Sequence, residues 1–251
     1  MGTIGATRSG SVVTLTLRHE GRANALDFAM LTQLERHLAD IEADTGVRAL
    51  LLRGSAGGTF CSGADVREWA PLTPRQFARD WVDYGNRIFD RLERLRCPTL
   101  AAIEGLCFGG GLELALCTDL RVGTVAARFR FPEVGIGAIP GWQGGTRLAR
   151  IAGRGRALEA VLTMRTLDAE TALAWGLLNA AWPPEQFERQ LADYLDRLTL
   201  VSPRAAALAK AVLLVETELG QSYGRAAEEI KASADADIGV RAFFDKTRPQ
   251  F

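Results

Sequence analysis

Residues Val12 to Leu17, VVTLTL, alternate apolar and polar positions, and that period of two predicts a strand with one face buried. Arg48 to Gly54, RALLLRG, is apolar through its middle and predicts a buried strand. Between them Asn24 or Asp27 can cap a helix running through Ala43, with Met30, Leu31, Leu34, Leu38 and Ile41 on one side. The three segments make a β–α–β unit. Thr99 to Gly105, TLAAIEG, predicts a third strand after a helix that ends near Arg96, and the runs DLRVGT and RFRFPE predict two more. Alternation of strands and helices through about residue 150 implies an α/β layered core with parallel pairing. After Pro140 the pattern turns helical, with segments at Gly155–Met164, Asp168–Trp175, Glu185–Thr199, Pro203–Leu219 and Gln221–Phe244.

Composition narrows the function classes. At 251 residues the chain suits one large domain or two small ones, and no internal repeat or low-complexity linker divides it. Lys+Arg and Asp+Glu cancel at 30 each, which argues against a nucleic-acid partner and for a small molecule. Cys61, Cys97, Cys107 and Cys117 are scattered without a CxxC pair or a nearby histidine, so neither a disulfide framework nor a zinc site is indicated. His19 lies in a polar loop and His37 on a surface helix; both read as solvated, and a histidine-based triad is not expected. No apolar run approaches the roughly 20 residues of a membrane span. The start of the chain lacks the apolar core of a signal peptide, so no membrane is expected and the expected location is the cytoplasm.

The candidate chemistry lies in Ile103 to Val122, IEGLCFGGGLELALCTDLRV, where three glycines precede a glutamate, Glu113, set among leucines. An ionised carboxylate in apolar surroundings calls for a reason, and glycines let a backbone approach a ligand with free N–H groups. Known phosphate motifs do not account for it. A dinucleotide fingerprint started at Gly109 has Leu114 where its last glycine belongs, and one started at Gly135 has Pro140. The Walker pattern fails because Gly110 is followed by Gly111 and Leu112, and a nucleophile elbow fails because Phe60 stands two before Ser62.

Three ordered motifs do resemble a known group: FCSGADV (Phe60 to Val66), GGGLELALCTD, and FPEVGIGAIPGWQGGTRL (Phe131 to Leu148). With RANAL near Arg22 and the closing FFDKTRPQF, the chain is similar over almost its whole length to the enoyl-CoA hydratase/isomerase, or crotonase, superfamily. That resemblance implies an α/β, crotonase-like fold with a ββα spiral core over residues 1–195, carrying the CoA and oxyanion site. Residues 196–251 would form a helical region serving trimerisation and part of the CoA site.

What the resemblance implies for the site is specific. The backbone N–H groups of Ala64 and Gly110 match the family's oxyanion hole for a thioester carbonyl. Glu113 and Glu133 match its two acid–base carboxyls, Glu113 chiefly activating water and Glu133 chiefly exchanging the proton at Cα. Gly141 matches a glycine that orients the catalytic water. Arg67 and Lys246 match contacts to coenzyme A, the latter across a subunit interface, and Asp65 supports the turn that aims the Ala64 amide. Arg22, Ser62 and Val66 fall in the substrate-binding segments, and Asp119 in a structural one. Phe131 and Trp142 depart from the pattern with bulk expected beside the acyl group. The implied activity is reversible hydration of a trans-2-enoyl-CoA by a homotrimer or dimer of trimers. No metal, flavin or nicotinamide is needed, and coenzyme A enters only as part of the substrate. Double-bond isomerisation or decarboxylation is the alternative on this scaffold, and a non-catalytic acyl-CoA- or RNA-binding relative is the third reading.

Overall fold

The computed structural model describes residues 1–55, 58–214 and 219–251. Strands β1 (Thr3–Ser9) and β2 (Val12–Arg18) form an antiparallel hairpin around Gly10, whose φ of 57° is the left-handed conformation a tight turn favours in glycine. Helix α1 (Phe28–Ala43) follows, capped by Asp27, whose carboxylate accepts the Met30 N–H at 2.8 Å. Its buried side is Met30, Leu31, Leu34, Leu38 and Ile41, as the periodicity predicts. Strand β3 (Ala49–Gly54) then pairs parallel with β2, completing the expected unit.

A helical arm comes next: α2 (Val66–Trp69), α3 (Pro74–Gln76), a π-helical stretch Phe77–Asp83, and α4 (Tyr84–Glu93). It is fastened to α1 by Arg91 on Glu42, at 2.6 and 2.5 Å, and by the Tyr84 hydroxyl on Glu35 at 2.8 Å. Strands β4 (Thr99–Ile103) and β5 (Leu106–Phe108) lead into the short α5 (Gly110–Ala115). Beyond it lie β6 (Leu120–Thr124), β7 (Arg128–Arg130) and a 3-10 turn at Glu133–Ile136. The rest is α6 (Gly144–Ala152), α7 (Arg154–Thr163), β8 (Leu167–Asp168), α8 (Ala169–Ala174), β9 (Ala180–Trp182), α9 (Pro184–Thr199), α10 (Pro203–Leu214), α11 (Leu219–Lys231) and α12 (Ala234–Asp245).

The large sheet has the order β1-β2-β3-β4-β6-β9, parallel from β2 onward, and a small sheet has the order β5-β7-β8. Alternation along the strands assigns each residue a face. Leu50, Leu52, Ala101 and Ile103 join the main core with α1, α4 and α5, while Leu51, Leu100 and Ala102 pack under α9 against Phe187 and Leu191. Both faces are covered, which is why β3 and β4 read as continuous apolar runs.

Several expectations are corrected. Strands β1, β5, β8 and β9 and helix α6 had no counterpart in the sequence pattern. Gln221–Phe244 is two helices rather than one, because Ser233 caps α12 by accepting the Ala236 N–H. The Pro203–Leu219 segment is helical through Leu214, and its continuation over 215–218 lies outside the described residues. His19 is buried rather than solvated, with Nδ1 2.7 Å from the Ala25 carbonyl, and His37 reaches the Ile4 carbonyl at 2.8 Å. Residue 195 falls inside α9. Asp119 has the structural role expected of it: it accepts the Thr99 N–H at 2.7 Å and pairs with Lys210 of α10 at 2.8 Å, fixing the helical region to the sheet.

Candidate active site

The site begins with a parallel bridge between Leu26 and Ala64. Leu26 donates to the Gly63 carbonyl and accepts from the Asp65 N–H, both at 2.8 Å, so both of its bonds go to the neighbours of Ala64. The Ala64 N–H is thereby turned to the other side, toward a cavity. Gly110 arrives beside it. A β-carbon on Gly110 would stand 3.1 Å from the Ala64 nitrogen, and one on Gly63 would stand 3.6 Å from the Gly110 nitrogen. Gly110 is the first residue of α5, so its N–H has no partner within the helix. Among the described residues neither amide has an acceptor. Two free donors thus meet at one wall of a cavity of about 130 Å³.

Glu113 sits in the first turn of α5 and is 2% exposed. Its Oε1 accepts the backbone N–H groups of Trp142, at 2.8 Å, and Gly144, at 2.9 Å, leaving its other oxygen for the cavity. Gly144 is glycine for a steric reason, since a β-carbon there would lie 2.4 Å from Glu113 Cγ. Glu133 opens the 3-10 turn on the same cavity, and its Oε2 is buried without a partner. Its Oε1 would be 2.9 Å from a β-carbon on Gly109, whose φ of 49° independently favours glycine. Gly109 is therefore explained by a turn and the close approach of a carboxyl, Gly110 by the close approach of an amide, and Gly111 by Cys61, whose Cβ would lie 2.6 Å from a β-carbon there.

Burial raises both carboxyls. Glu113 is pushed up to about 8, first by burial and further by the Glu133 charge, against the lowering effect of the Gly144 and Trp142 amides and of Arg147. Glu133 is raised to about 7 by burial. Near neutral pH such a pair holds on to a proton, so one carboxyl can accept a proton while the other donates one. Among the described residues no group of three or more His, Cys, Asp or Glu side chains is placed to hold a metal.

The other expected site residues divide. Ser62, Val66, Gly141 and Trp142 line the cavity with the residues above. Arg22 and Asp65 stand behind it: they pair at 2.7 Å, Asp65 caps α2 through the Arg67 N–H, and the Ser62 hydroxyl donates to the Arg22 carbonyl. This braces the turn that carries Ala64. The Arg67 side chain is exposed, as is Lys246 at the left-handed end of α12, and neither lines the cavity. Phe131 is a correction: it is 1% exposed and off the cavity wall, with its ring edge under Gly144, because it continues the inward alternation of Phe129 in β7. Trp69, Phe77 and Trp81 of the helical arm and Ile136 and Ile139 after Glu133 complete the wall and were not anticipated. The aromatic spacing i, i+4 of Phe77 and Trp81 was the available signal.

Comparison with known proteins places the chain. The family model described as enoyl-CoA hydratase/isomerase matches residues 7–251. The chain belongs to the enoyl-CoA hydratase/isomerase family. A short-chain-enoyl-CoA hydratase of Clostridium acetobutylicum is 33% identical over 203 residues, covering 81% of this chain and 77% of the relative. A crotonyl-CoA hydratase of Syntrophomonas wolfei is 30% identical over 233 residues, 91% of this chain and 89% of the relative. The crystal structure of an enoyl-CoA hydratase from Bacillus anthracis superposes with a TM-score of 0.94 at 30% identity, covering 99% and 98% of the two chains. The fold is the crotonase-like α/β fold that the resemblance implied, with its helical C-terminal region.

Proposed function

We propose that this member of the family adds water reversibly across the double bond of a trans-2-enoyl-CoA. The observation that carries the proposal is the convergence of two buried carboxyls, Glu113 and Glu133, with the two acceptor-free amides of Ala64 and Gly110 on one cavity. In this reading the thioester oxygen accepts both N–H groups, which stabilise the charge that develops on it as the enolate forms. Water lies between the carboxyls. The pair shares one proton, and the reactive form carries it on Glu133, with Glu113 ionised and held by the Trp142 and Gly144 amides. Glu113 takes the proton of the water as the oxygen bonds to Cβ, and Glu133 supplies the proton that completes Cα. Atoms balance as one water added per double bond. An isomerase or decarboxylase needs only one acid–base carboxyl, so the pair favours hydration.

Further elements follow from the same reading. Coenzyme A enters as the thioester half of the substrate, Arg67 and Lys246 are its candidate phosphate contacts, and no metal, flavin or nicotinamide takes part. Assembly as a trimer or dimer of trimers is supported by Phe243 and Phe244 of α12, which are 79% and 75% exposed. No helix among the described residues is long and apolar enough to cross a membrane, and we assign the protein to the cytoplasm and to fatty acid metabolism. The small cavity and its aromatic wall support a short acyl group. The test is an assay on crotonyl-CoA, followed by loss of the conjugated absorption and by mass. Gain of one water supports hydration, whereas an isobaric product or loss of carbon dioxide from a suitable thioester replaces it with the alternatives.

A further inference from the structure

Glu113 owes its orientation to a peptide group that is itself held from the far side. The N–H that reaches Glu113 Oε1 at 2.8 Å belongs to the peptide joining Gly141 and Trp142. The carbonyl of that same peptide accepts the side-chain amide of Asn86, on α4, at 3.0 Å. Because the acceptor is a carbonyl oxygen, the amide nitrogen must face it, which fixes the flip of Asn86. Its Oδ1 is then buried with no partner. A buried amide that leaves its oxygen unpaired in order to reach one carbonyl is unusual in a purely structural side chain. The loop around this peptide is irregular, with Gln143 at a φ of 64°, so its direction depends on such tethers. A carbonyl that accepts a hydrogen bond also makes its own N–H a stronger donor.

We infer that Asn86 is a positioning residue that acts through the Gly141–Trp142 peptide to aim and strengthen the donor on the Glu113 carboxylate. Other groups face Glu113 as well: Glu133 from the 3-10 turn, Arg147 from α6 with Asp90 and Glu93 of α4 behind it, and the Cys117 thiol, which donates to the Glu113 backbone carbonyl. None of them contacts the Gly141 carbonyl, so the effect of Asn86 is separable. A hydrogen bond to the ionised form lowers a carboxyl's proton affinity, and its loss raises that affinity.

The consequence for rate rests on the hydratase reading, but the titration of Glu113 does not, and the experiment reads both. Infrared difference spectra of the substrate-free protein follow the protonated carboxyl of Glu113, identified in each background by its loss in Glu113→Gln. Asn86→Ala removes the donor, and Asn86→Asp keeps the shape while losing it. We expect the Glu113 midpoint to rise by about one pH unit in Asn86→Ala and by more in Asn86→Asp. On crotonyl-CoA the acidic limb of kcat should move with it, giving about a tenfold loss below that limb, partial recovery above it, and little change in KM. A wild-type Glu113 midpoint in the folded variants overturns the inference, as does a rate loss uniform across pH. Should Asn86→Asp not fold, Asn86→Ala carries the test alone. Absence of hydration with a shifted midpoint would overturn the proposed reaction and leave the role of Asn86 standing.

Discussion

The indole of Trp142 lies against Gly110 so closely that a β-carbon on Gly110 would sit 2.6 Å from its Cζ3. Since the same residue sends its backbone N–H to Glu113, one side chain is packed on the proposed oxyanion hole while its backbone orients a proposed acid–base group. Gly110→Ala therefore has to move the ring or the amide. We predict a loss of about 100- to 1000-fold in kcat, the size seen when one such donor is lost. Its cost in stability should be smaller in a Trp142→Ala background, where the ring is gone, and a double-mutant cycle by urea melts reads that coupling. Wild-type kcat in a folded Gly110→Ala protein would mean that the ring alone gives way, whereas wild-type kcat in a folded Gly110→Pro protein, which has no N–H at that position, would remove Gly110 from the oxyanion hole.

Glu113→Gln and Glu133→Gln keep the shape of each side chain and remove its acid–base function. Each should lose about 100- to 10,000-fold in hydration while still binding acyl-CoA. The losses should not add in the double variant, because both groups act on one water. Near-wild-type turnover in both single variants would sink the mechanism, and retained double-bond migration in Glu113→Gln alone would favour isomerisation.

Stability carries a sign that activity does not. Both carboxyls are raised in the folded protein, to about 8 and about 7 from the ordinary 4.5, so the native state binds protons more tightly than the unfolded chain. The stability they contribute is complete below about pH 4.5 and is lost as pH rises through 7 and 8. The doubly amidated variant, which has no charge to bury, should therefore melt above wild type at alkaline pH, with the gap closing toward acid. Thermal melts across that range check it, and a gap that widens toward acid contradicts the raised values.

Much of this was legible because strong local patterns coincide with burial. The stripe of α1, the apolar runs of β3 and β4, and the glycines around Glu113 all carry their reason in the sequence. Strand β1 was hidden because only Ile4 of its TIGATRS faces the core, and β5 and β9 are three-residue strands defined by distant partners. Phe131 was misplaced although RFRF already alternates: Phe129 and Phe131 point in, while Arg128 and Arg130 are only partly buried. The cavity wall was the least readable part. It draws on the helical arm, the Ala64 turn, α5 and the loop after Glu133, and no single stretch of sequence announces their meeting.

That wall is where acyl specificity should reside, and the residue to vary is not the one its bulk first suggests. Trp142 is 2% exposed, and its indole N–H donates to the Trp81 carbonyl at 3.2 Å, so Trp142→Ala should cost roughly 3–5 kcal/mol of stability as a core truncation. Its effect on rate should be nearly common to all substrates. Trp69 and Phe77 differ: they are half-buried, pack on each other with ring centroids 5.3 Å apart, and turn toward the cavity. Phe77→Ala should leave the fold intact and raise kcat/KM for longer or aryl-substituted enoyl-CoA thioesters relative to crotonyl-CoA. Discrimination of about 1–3 kcal/mol per methylene sets the scale, so the relative change should be about ten- to two-hundred-fold. Competition assays with paired substrates, run at a temperature where both proteins are folded, measure that ratio directly. A ratio unchanged in Phe77→Ala but altered in Trp142→Ala would return the specificity role to Trp142 and make the helical arm a scaffold.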